Sequence, residues 1–139
     1  MSKIESLLPH REPFLFVDEI IEASKEKIIA KHVFTEKEFF FKGHFPEYPV
    51  VPGVILVETM AQSGGAGLRK LGVLGDDSLF FLATVDKVKF RRQVRPGDEV
   101  RCEIENLRVS PKMIKQRGMA YVGDELAAEA EWMCLVGSK

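Results

Sequence analysis

The sequence predicts an α+β fold in which an antiparallel sheet of about six strands curls around one long, buried helix. Three observations lead to this prediction. A mostly apolar segment follows Pro52 and Gly53 and is long enough for a helix of about five turns. Several other segments alternate apolar and polar residues, as strands with one buried face do. Short clusters rich in proline, glycine, aspartate and serine separate these segments and supply turns.

The N-terminal part of the chain contains two predicted strands. Residues 4–8 can form a short helix, after which two prolines keep the chain extended or turned. Residues 14–21 and 27–34 are rich in β-branched and aromatic residues, which favours strands, and a polar turn joins the two segments. The order of these elements predicts a hairpin near the start of the fold.

A stiff loop and the long helix follow the hairpin. Proline recurs at positions 46, 49 and 52, which removes three backbone donors and restricts the loop over residues 43–53. Such a loop can hold one side chain still. The helix is predicted to run over residues 53–71, and glycine and serine end it within residues 72–78.

Most of the remaining chain is predicted to be strand. Apolar residues alternate with charged residues around positions 87–91, 99–105 and 128–136. The expected turns lie at 96–98, 110–111 and 123–124. The pattern has no internal repeat and predicts a single domain over residues 1–139.

Composition and charge exclude several classes of function. A net charge of −1 over 139 residues argues against a nucleic-acid binder, which is normally strongly basic. The longest apolar stretch, residues 50–60, is shorter than the roughly 20 residues of a membrane-spanning helix. No secretory leader is evident, so the expected location is cytoplasmic. The two cysteines lack zinc-site spacing and are expected to be reduced core residues.

A single carboxylate, Glu58, lies inside the apolar helix and is the strongest functional signal. Burying a carboxylate is costly unless it is paired, protonated or in use. Apolar residues cover nearly every face of the helix around it, so no solvated face is predicted unless a cleft or another subunit meets the helix there. Gln62, four positions later, can hydrogen-bond the carboxyl. An apolar setting should raise the pKa of Glu58 and make it a general acid near neutral pH.

The three histidines are unequal. His44 lies in a tightly shaped glycine-proline loop with an aromatic neighbour, where an imidazole can act as general base near neutral pH. His10 is expected to brace a loop, and His32 is expected to be structural or at the surface. Gly53 has no side chain to block the unpaired N–H groups of the first helical turn, which can therefore polarise a carbonyl group.

Seven motifs, taken in chain order, resemble those of one family over nearly the whole sequence. They are Leu7-Leu8-Pro9-His10-Arg11, Gly43-His44-Phe45-Pro46, Pro52-Gly53-Val54, Glu58, Met60-Ala61-Gln62, Asp86-Lys87-Val88-Lys89-Phe90 and Pro96-Gly97-Asp98. The family is the (3R)-hydroxyacyl-acyl carrier protein dehydratases of type II fatty acid synthesis, Z type. The resemblance implies a hot-dog fold and homodimers, usually three to a hexamer. It also implies that His44 of one subunit faces Glu58 of the other.

The resemblance further implies the reaction, which is dehydration of (3R)-3-hydroxyacyl-acyl carrier protein to the trans-2-enoyl product without metal or cofactor. His44 would remove a proton from carbon 2 while the Gly53 N–H polarises the thioester carbonyl. Protonated Glu58 would donate to the departing hydroxyl, with Gln62 orienting its carboxyl. A-type relatives, which also isomerise the product, usually carry aspartate in place of glutamate, so dehydration alone is favoured.

Two positions depart from the family pattern. Phe81 stands where some members have a tyrosine that gates the acyl tunnel, and Thr59 stands where a small residue is common. Neither position is that of the proposed acid, Glu58, or of the proposed base, His44. The substitution at Phe81 bears on the gate and on the range of acyl lengths.

A basic run has two interpretations, a solvated strand face or a docking patch for the acidic carrier protein. It consists of Lys87, Lys89, Arg91, Arg92 and Arg95. Two other functions stay open, because the hot-dog fold also hosts acyl thioesterases and could serve as a non-catalytic acyl-binding protein. The presence of both His44 and Glu58 favours the dehydratase.

Overall fold

The computed structural model describes residues 4–138, which form one antiparallel six-stranded sheet and one long helix. The elements in chain order are a 3₁₀ turn (Ile4–Ser6), β1 (Glu19–Ala23), β2 (Lys27–Val33), a second 3₁₀ turn (Phe39–Lys42), α1 (Gly53–Lys70), β3 (Ser78–Phe90), β4 (Glu99–Val109), β5 (Met113–Val122) and β6 (Glu125–Ser138). The strand order is β1-β2-β4-β5-β6-β3. The predicted α+β hot-dog architecture is confirmed.

Helix α1 forms the centre of this architecture. It begins at Gly53 after the N-cap Pro52 and ends at Lys70, one residue before the predicted end. Gly72 has a φ of 81°, and this left-handed conformation turns the chain away from the helix. The helix contacts all six strands, which is why its residues are buried almost all round over its last three turns.

Small residues of α1 let the sheet approach closely. A Cβ at Gly64 would overlap the side-chain amide of Gln116, which lies on β5. The Oε1 atom of Gln116 accepts a hydrogen bond from Trp132 Nε1 at 3.1 Å, and its Nε2 donates to Asn106 Oδ1 at 2.8 Å. This buried polar chain joins β4, β5 and β6 beneath the helix and limits how the sheet can slide over it.

The predicted strand over residues 14–21 was wrong in its first part, because β1 begins only at Glu19. The Phe16 N–H donates to Gln62 Oε1 at 2.8 Å, and the Phe14 carbonyl accepts from Gln62 Nε2 at 3.0 Å. The extended residues 14–16 therefore satisfy their backbone groups on a helix side chain rather than on a neighbouring strand. Propensity alone cannot distinguish these two partners.

Both cysteines lie in the core, as the sequence predicts. Cys102 and Cys134 are free, buried thiols. Burial raises the pKa of each thiol to about 12, so both stay protonated. Among residues 4–138 no helix is both long and apolar enough to cross a membrane.

Strand β3 lies at an edge of the sheet and is largely exposed. Among the described strands it pairs with β6 alone, and its alternating sequence does not give it one buried face. Phe81 is 58% exposed and Phe90 is 53% exposed. An edge with unpaired backbone groups and large apolar side chains is a surface that proteins usually cover.

His32 forms a buried ion cluster below β2. Its Nδ1 lies 2.8 Å from Asp18 Oδ1, and its Nε2 lies 3.2 Å from Glu38 Oε2. Burial by itself would lower the pKa of His32, but hydrogen bonds to the two carboxylates and their charges raise it to about 9. The ring is therefore a structural cation, which agrees with the structural role expected for His32.

This cluster predicts a pH-dependent stability. A histidine whose pKa rises from about 6.5 in the unfolded chain to about 9 in the folded chain stabilises fully below pH 6.5 and progressively less as pH rises through 9. We expect the free energy of unfolding in urea to fall by about 2 kcal/mol across this window, since water screens the half-exposed Asp18. The His32→Asn variant should lose this slope at equal protein concentration, and an unchanged slope would contradict the assignment.

Candidate active site

Backbone groups of the loop over residues 43–53, the histidine loop, hold the side chain of His44. His44 Nδ1 lies 3.1 Å from the Val50 carbonyl oxygen, and the Val50 N–H donates to the His44 carbonyl at 3.0 Å. The ring stacks on Phe45 with 4.3 Å between centroids. Because a carbonyl can only accept, Nδ1 carries the hydrogen in the neutral ring and Nε2 carries the lone pair. Nε2 is therefore the atom that can act as a base.

Glu58 lies on α1 with about one fifth of its side chain exposed. Its Oε2 accepts a hydrogen bond from Gln62 Nε2 at 2.9 Å, the interaction that the spacing predicted. Burial raises the pKa of Glu58 above its usual value, and the bond from Gln62 opposes part of that rise. The carboxyl is thus biased toward the neutral form that a general acid requires.

The start of α1 is not buried on every side. Val54, one turn before Glu58 on the same face, is 74% exposed. The exception that the sequence analysis allowed, a face open to a cleft or another subunit, therefore applies here. Glu58 lies at the border between this open face and the core.

Gln62 fixes the orientation of the carboxyl. Its side chain is fully buried and uses its oxygen and both amide hydrogens. The Phe16 N–H can only donate, so Oε1 must face Phe16 and Nε2 must face Glu58. The amide therefore has one possible orientation, and its donor to Glu58 is permanent.

Two backbone N–H groups in the first turn of α1 have no backbone partner among the described residues. Within residues 4–138 the backbone N–H groups of Gly53 and Val54 donate to no carbonyl oxygen. A Cβ at Gly53 would lie 2.7 Å from Cζ of Phe90, so glycine allows this ring to cover the first turn. Two unpaired donors at the positive end of a helix suit a carbonyl oxygen that gains negative charge.

His10 approaches Glu58 although the sequence analysis assigned it only to a loop. His10 Nε2 lies 3.6 Å from Glu58 Oε2, and its ring lies 5.8 Å from that of Phe80. Cys134, on β6, is also close, because the charge of Glu58 adds to burial in raising the pKa of that thiol to about 12. The motif around His10 was noticed, but its meeting with the helix depends on the path of the chain.

No hydrogen bond or ion pair joins His44 to Glu58 within the described part of this chain. His44 is held within the loop between the second 3₁₀ turn and α1, and Glu58 contacts Gln62 and His10. Phe81 lies on the edge strand β3, paired in register with Leu135. The predicted gate residue is therefore exposed at the same edge as Phe90.

The basic run from β3 onwards is mostly paired. Lys87 lies 3.2 Å from Glu131, and Arg91 lies 2.9 Å from Glu129. Arg92 lies near the carboxylates of Asp98 and Glu125, whereas the Arg95 guanidinium lies over the uncharged ring of Tyr48. Lys89 has no ion pair within residues 4–138. The local positive field is therefore smaller than five free charges would give.

The fold defines the class of protein, which is that of hot-dog proteins. A similar solved structure is the dehydratase heterocomplex ApeI:P from Xenorhabdus doucetiae, with a TM-score of 0.83, 16% identity, and coverage of 100% of this chain and 93% of that chain. A likeness at this identity concerns the fold alone.

Sequence similarity defines the family. A family model described as a FabA-like domain matches residues 8–131. The chain is 46% identical to the 3-hydroxyacyl-[acyl-carrier-protein] dehydratase FabZ of Desulforamulus reducens, covering 100% of this chain and 98% of that protein. It is 45% identical to the protein of the same name from Pelotomaculum thermopropionicum, covering 98% and 97%. The chain belongs to the FabA-like family and, within it, to the dehydratases named FabZ.

Replacement of Gln62 by leucine tests the contribution of its hydrogen bonds with Phe14 and Phe16 to the stability of the fold. Gln62→Leu keeps the approximate volume but leaves the Phe16 N–H and the Phe14 carbonyl without partners, so we expect a loss of about 2–4 kcal/mol in urea unfolding. The matched control is Ser63→Ala, which removes a hydroxyl that donates within the same helix to the Thr59 carbonyl at 2.8 Å. The control should cost less than about 1 kcal/mol. Equal losses in the two variants would contradict the special role of Gln62.

Proposed function

We propose that this protein removes water from (3R)-3-hydroxyacyl chains carried by acyl carrier protein and forms the trans-2-enoyl product in fatty acid elongation. The observation that carries the proposal is a protonatable carboxyl, Glu58, held by Gln62 in a chain that matches named dehydratases over its full length. A single domain over residues 1–139 and a cytoplasmic location stay predictions from the sequence.

The first part of the proposed reaction is removal of a proton from carbon 2 of the substrate. His44 Nε2 carries the lone pair and accepts that proton. The electron pair of the broken C–H bond moves toward the thioester carbonyl. The N–H groups of Gly53 and Val54 donate to the carbonyl oxygen and stabilise its negative charge, and the helix dipole adds to this effect.

The second part is loss of the hydroxyl from carbon 3. Glu58 donates its proton to the hydroxyl oxygen, the C–O bond breaks, and water leaves as the double bond forms between carbons 2 and 3. His44 ends this sequence protonated and Glu58 ends it as a carboxylate, so the pair must exchange protons with solvent before the next turnover. Glutamate at position 58 favours dehydration without isomerisation, and no metal or redox cofactor takes part.

The site is proposed to form across a homodimer, with His44 of one subunit facing Glu58 of its partner. The exposed edge of β3 can pair antiparallel with a second copy of itself, which is the self-complementary contact that twofold symmetry requires. Exposed apolar groups on β3 and at the start of α1 support this assembly. Covering Val54 would also remove Glu58 from water. A trimer of such dimers is part of the same proposal.

Product analysis with a (3R)-3-hydroxyacyl carrier protein tests the reaction. We expect a mass loss of one water in the acyl chain and no released thiol. The His44→Ala and Glu58→Gln variants should each lose at least about a hundredfold in kcat, because each removes one proton-transfer group. Thiol release would indicate a thioesterase, and unchanged substrate with correctly folded protein would indicate acyl binding alone.

Mixing the two inactive variants under conditions of subunit exchange tests the shared site. A heterodimer of His44→Ala and Glu58→Gln chains has one site with both native residues and one with neither. Random exchange should therefore restore about a quarter of the activity. Each variant exchanged only with itself is the control. No recovery despite exchange, measured by mass spectrometry of labelled subunits, would place both residues in one chain.

The basic run is proposed to contribute to docking of the carrier protein, with Lys89 as a member that has no carboxylate partner among the described residues. Lys89→Glu should lower kcat/KM about threefold to tenfold for the carrier-linked substrate at low salt, because it weakens electrostatic steering. A pantetheine thioester of the same acyl chain should react unchanged. The control is Lys25→Glu in the turn between β1 and β2. Equal effects of the two reversals would argue against a specific patch.

A further inference from the structure

Glu58 has a second polar neighbour that the reaction scheme does not use. His10 Nε2 lies 3.6 Å from Glu58 Oε2, the same oxygen that accepts the hydrogen bond from Gln62. This separation is longer than a hydrogen bond. Contacts in catalytic sites often shorten once substrate binds, so an approach of a few tenths of an ångström is within the usual range.

The position of His10 is built into the N-terminal segment. The Arg11 side chain donates from one nitrogen to the carbonyl oxygens of Leu8 and His10, each at 2.7 Å. These bonds clamp the backbone on both sides of Pro9. Phe80 packs beside the ring from β3. The imidazole is therefore held against the helix rather than free to turn into water.

The protonation state of His10 follows from its surroundings. Burial, and secondarily the charge of Arg11, lower the pKa of His10, so the ring is neutral near neutral pH. Its Nδ1 is buried and has no hydrogen-bond partner among the described residues. A hydrogen on Nδ1 would leave a buried donor unpaired, which costs more than an unpaired lone pair there. The hydrogen is therefore assigned to Nε2, which faces the carboxyl.

The two oxygens of Glu58 then have different roles. Gln62 Nε2 can only donate, and its orientation is fixed by Phe14 and Phe16. A neutral His10 with its hydrogen on Nε2 also donates toward Oε2. An oxygen that faces two donors is the acceptor of the carboxyl, so in the neutral acid the proton resides on Oε1.

We propose that His10 is a positioning residue for the acid: together with Gln62 it keeps Oε2 as the acceptor, so that Glu58 gives its proton to the substrate from Oε1. This inference rests on the proposed function. It adds His10 to the site beside the base and the acid. This residue comes from the N-terminal segment, whereas the base lies in the histidine loop and the acid lies on the helix.

The groups that face Glu58 come from three elements. Gln62 lies on α1, Cys134 lies on β6, and His10 lies on the N-terminal segment. Gln62 does not titrate, and the Cys134 thiol stays protonated because its pKa is about 12. His10 itself is faced by Arg11 and Glu58. Of these three neighbours of Glu58, His10 is the one that can gain a proton as pH falls, and its lowered pKa keeps it neutral near neutral pH.

Two replacements separate donation from packing. His10→Gln keeps a side-chain N–H of similar reach but loses the ring, whereas His10→Phe keeps a ring beside Phe80 but has no donor. We expect His10→Gln to retain kcat within about threefold. We expect His10→Phe to lose about tenfold or more in kcat with little change in KM. Loss of a donor that stabilises the carboxylate raises the pKa of Glu58, so the alkaline limb of the kcat profile should move to higher pH.

The opposite pattern, with His10→Phe active and His10→Gln inactive, would show that the ring acts by packing and would overturn the proposal. Equal losses in both variants without a shift of the alkaline limb would overturn it as well. Circular dichroism and urea unfolding identify a variant that fails to fold.

A measurement on the unaltered protein is independent of the variants. Imidazole ¹⁵N chemical shifts should show His10 as the neutral tautomer with hydrogen on Nε2, and a hydrogen on Nδ1 would overturn the proposal. This readout is separate from the proposed reaction. A wild-type protein that forms no enoyl product but shows the Nε2 tautomer would refute the dehydratase and leave the pairing of His10 with Glu58 intact.

Discussion

The hydrogen bonds of the Gln62 side chain are the constraint on which the site depends. One amide joins the extended N-terminal segment at Phe14 and Phe16 to the middle of α1 and also holds Glu58. The backbone bonds force the orientation of the amide, and the orientation forces a donor toward the carboxyl. The same side chain therefore stabilises the fold and orients the carboxyl of Glu58. The segment that carries His10 reaches the helix through this junction.

Helix α1 is buried over its last turns and partly exposed at its first turn. Its last turns are buried against the whole sheet and contain small residues, which allow polar groups such as Gln116 to pack under it. Its first turn has exposed Val54 and unpaired N–H groups at Gly53 and Val54, and the Phe90 ring lies beside Gly53. Glu58 lies between these regions, where burial raises its pKa while about one fifth of its side chain stays exposed. The chemistry proposed for the protein requires this intermediate position.

The exposed edge of the sheet carries large apolar side chains. Phe81 and Phe90 on β3 and Val54 on α1 are large apolar groups at the surface, and a sheet edge with open backbone groups accompanies them. In the proposed dimer, a second copy of the chain covers these groups and brings a His44 toward each Glu58. The activity and the assembly are then consequences of one surface.

The sequence by itself determined the fold class, the helix and most strands, because apolar periodicity and turn residues are local signals. It also predicted the pairing of Glu58 with Gln62, since two residues four positions apart in a helix lie on the same face. Only the tertiary structure decided that residues 14–16 bind Gln62 rather than a strand, and that His10 lies beside Glu58. Both contacts join segments about fifty residues apart, and no local pattern specifies which distant group a backbone amide or an imidazole will meet.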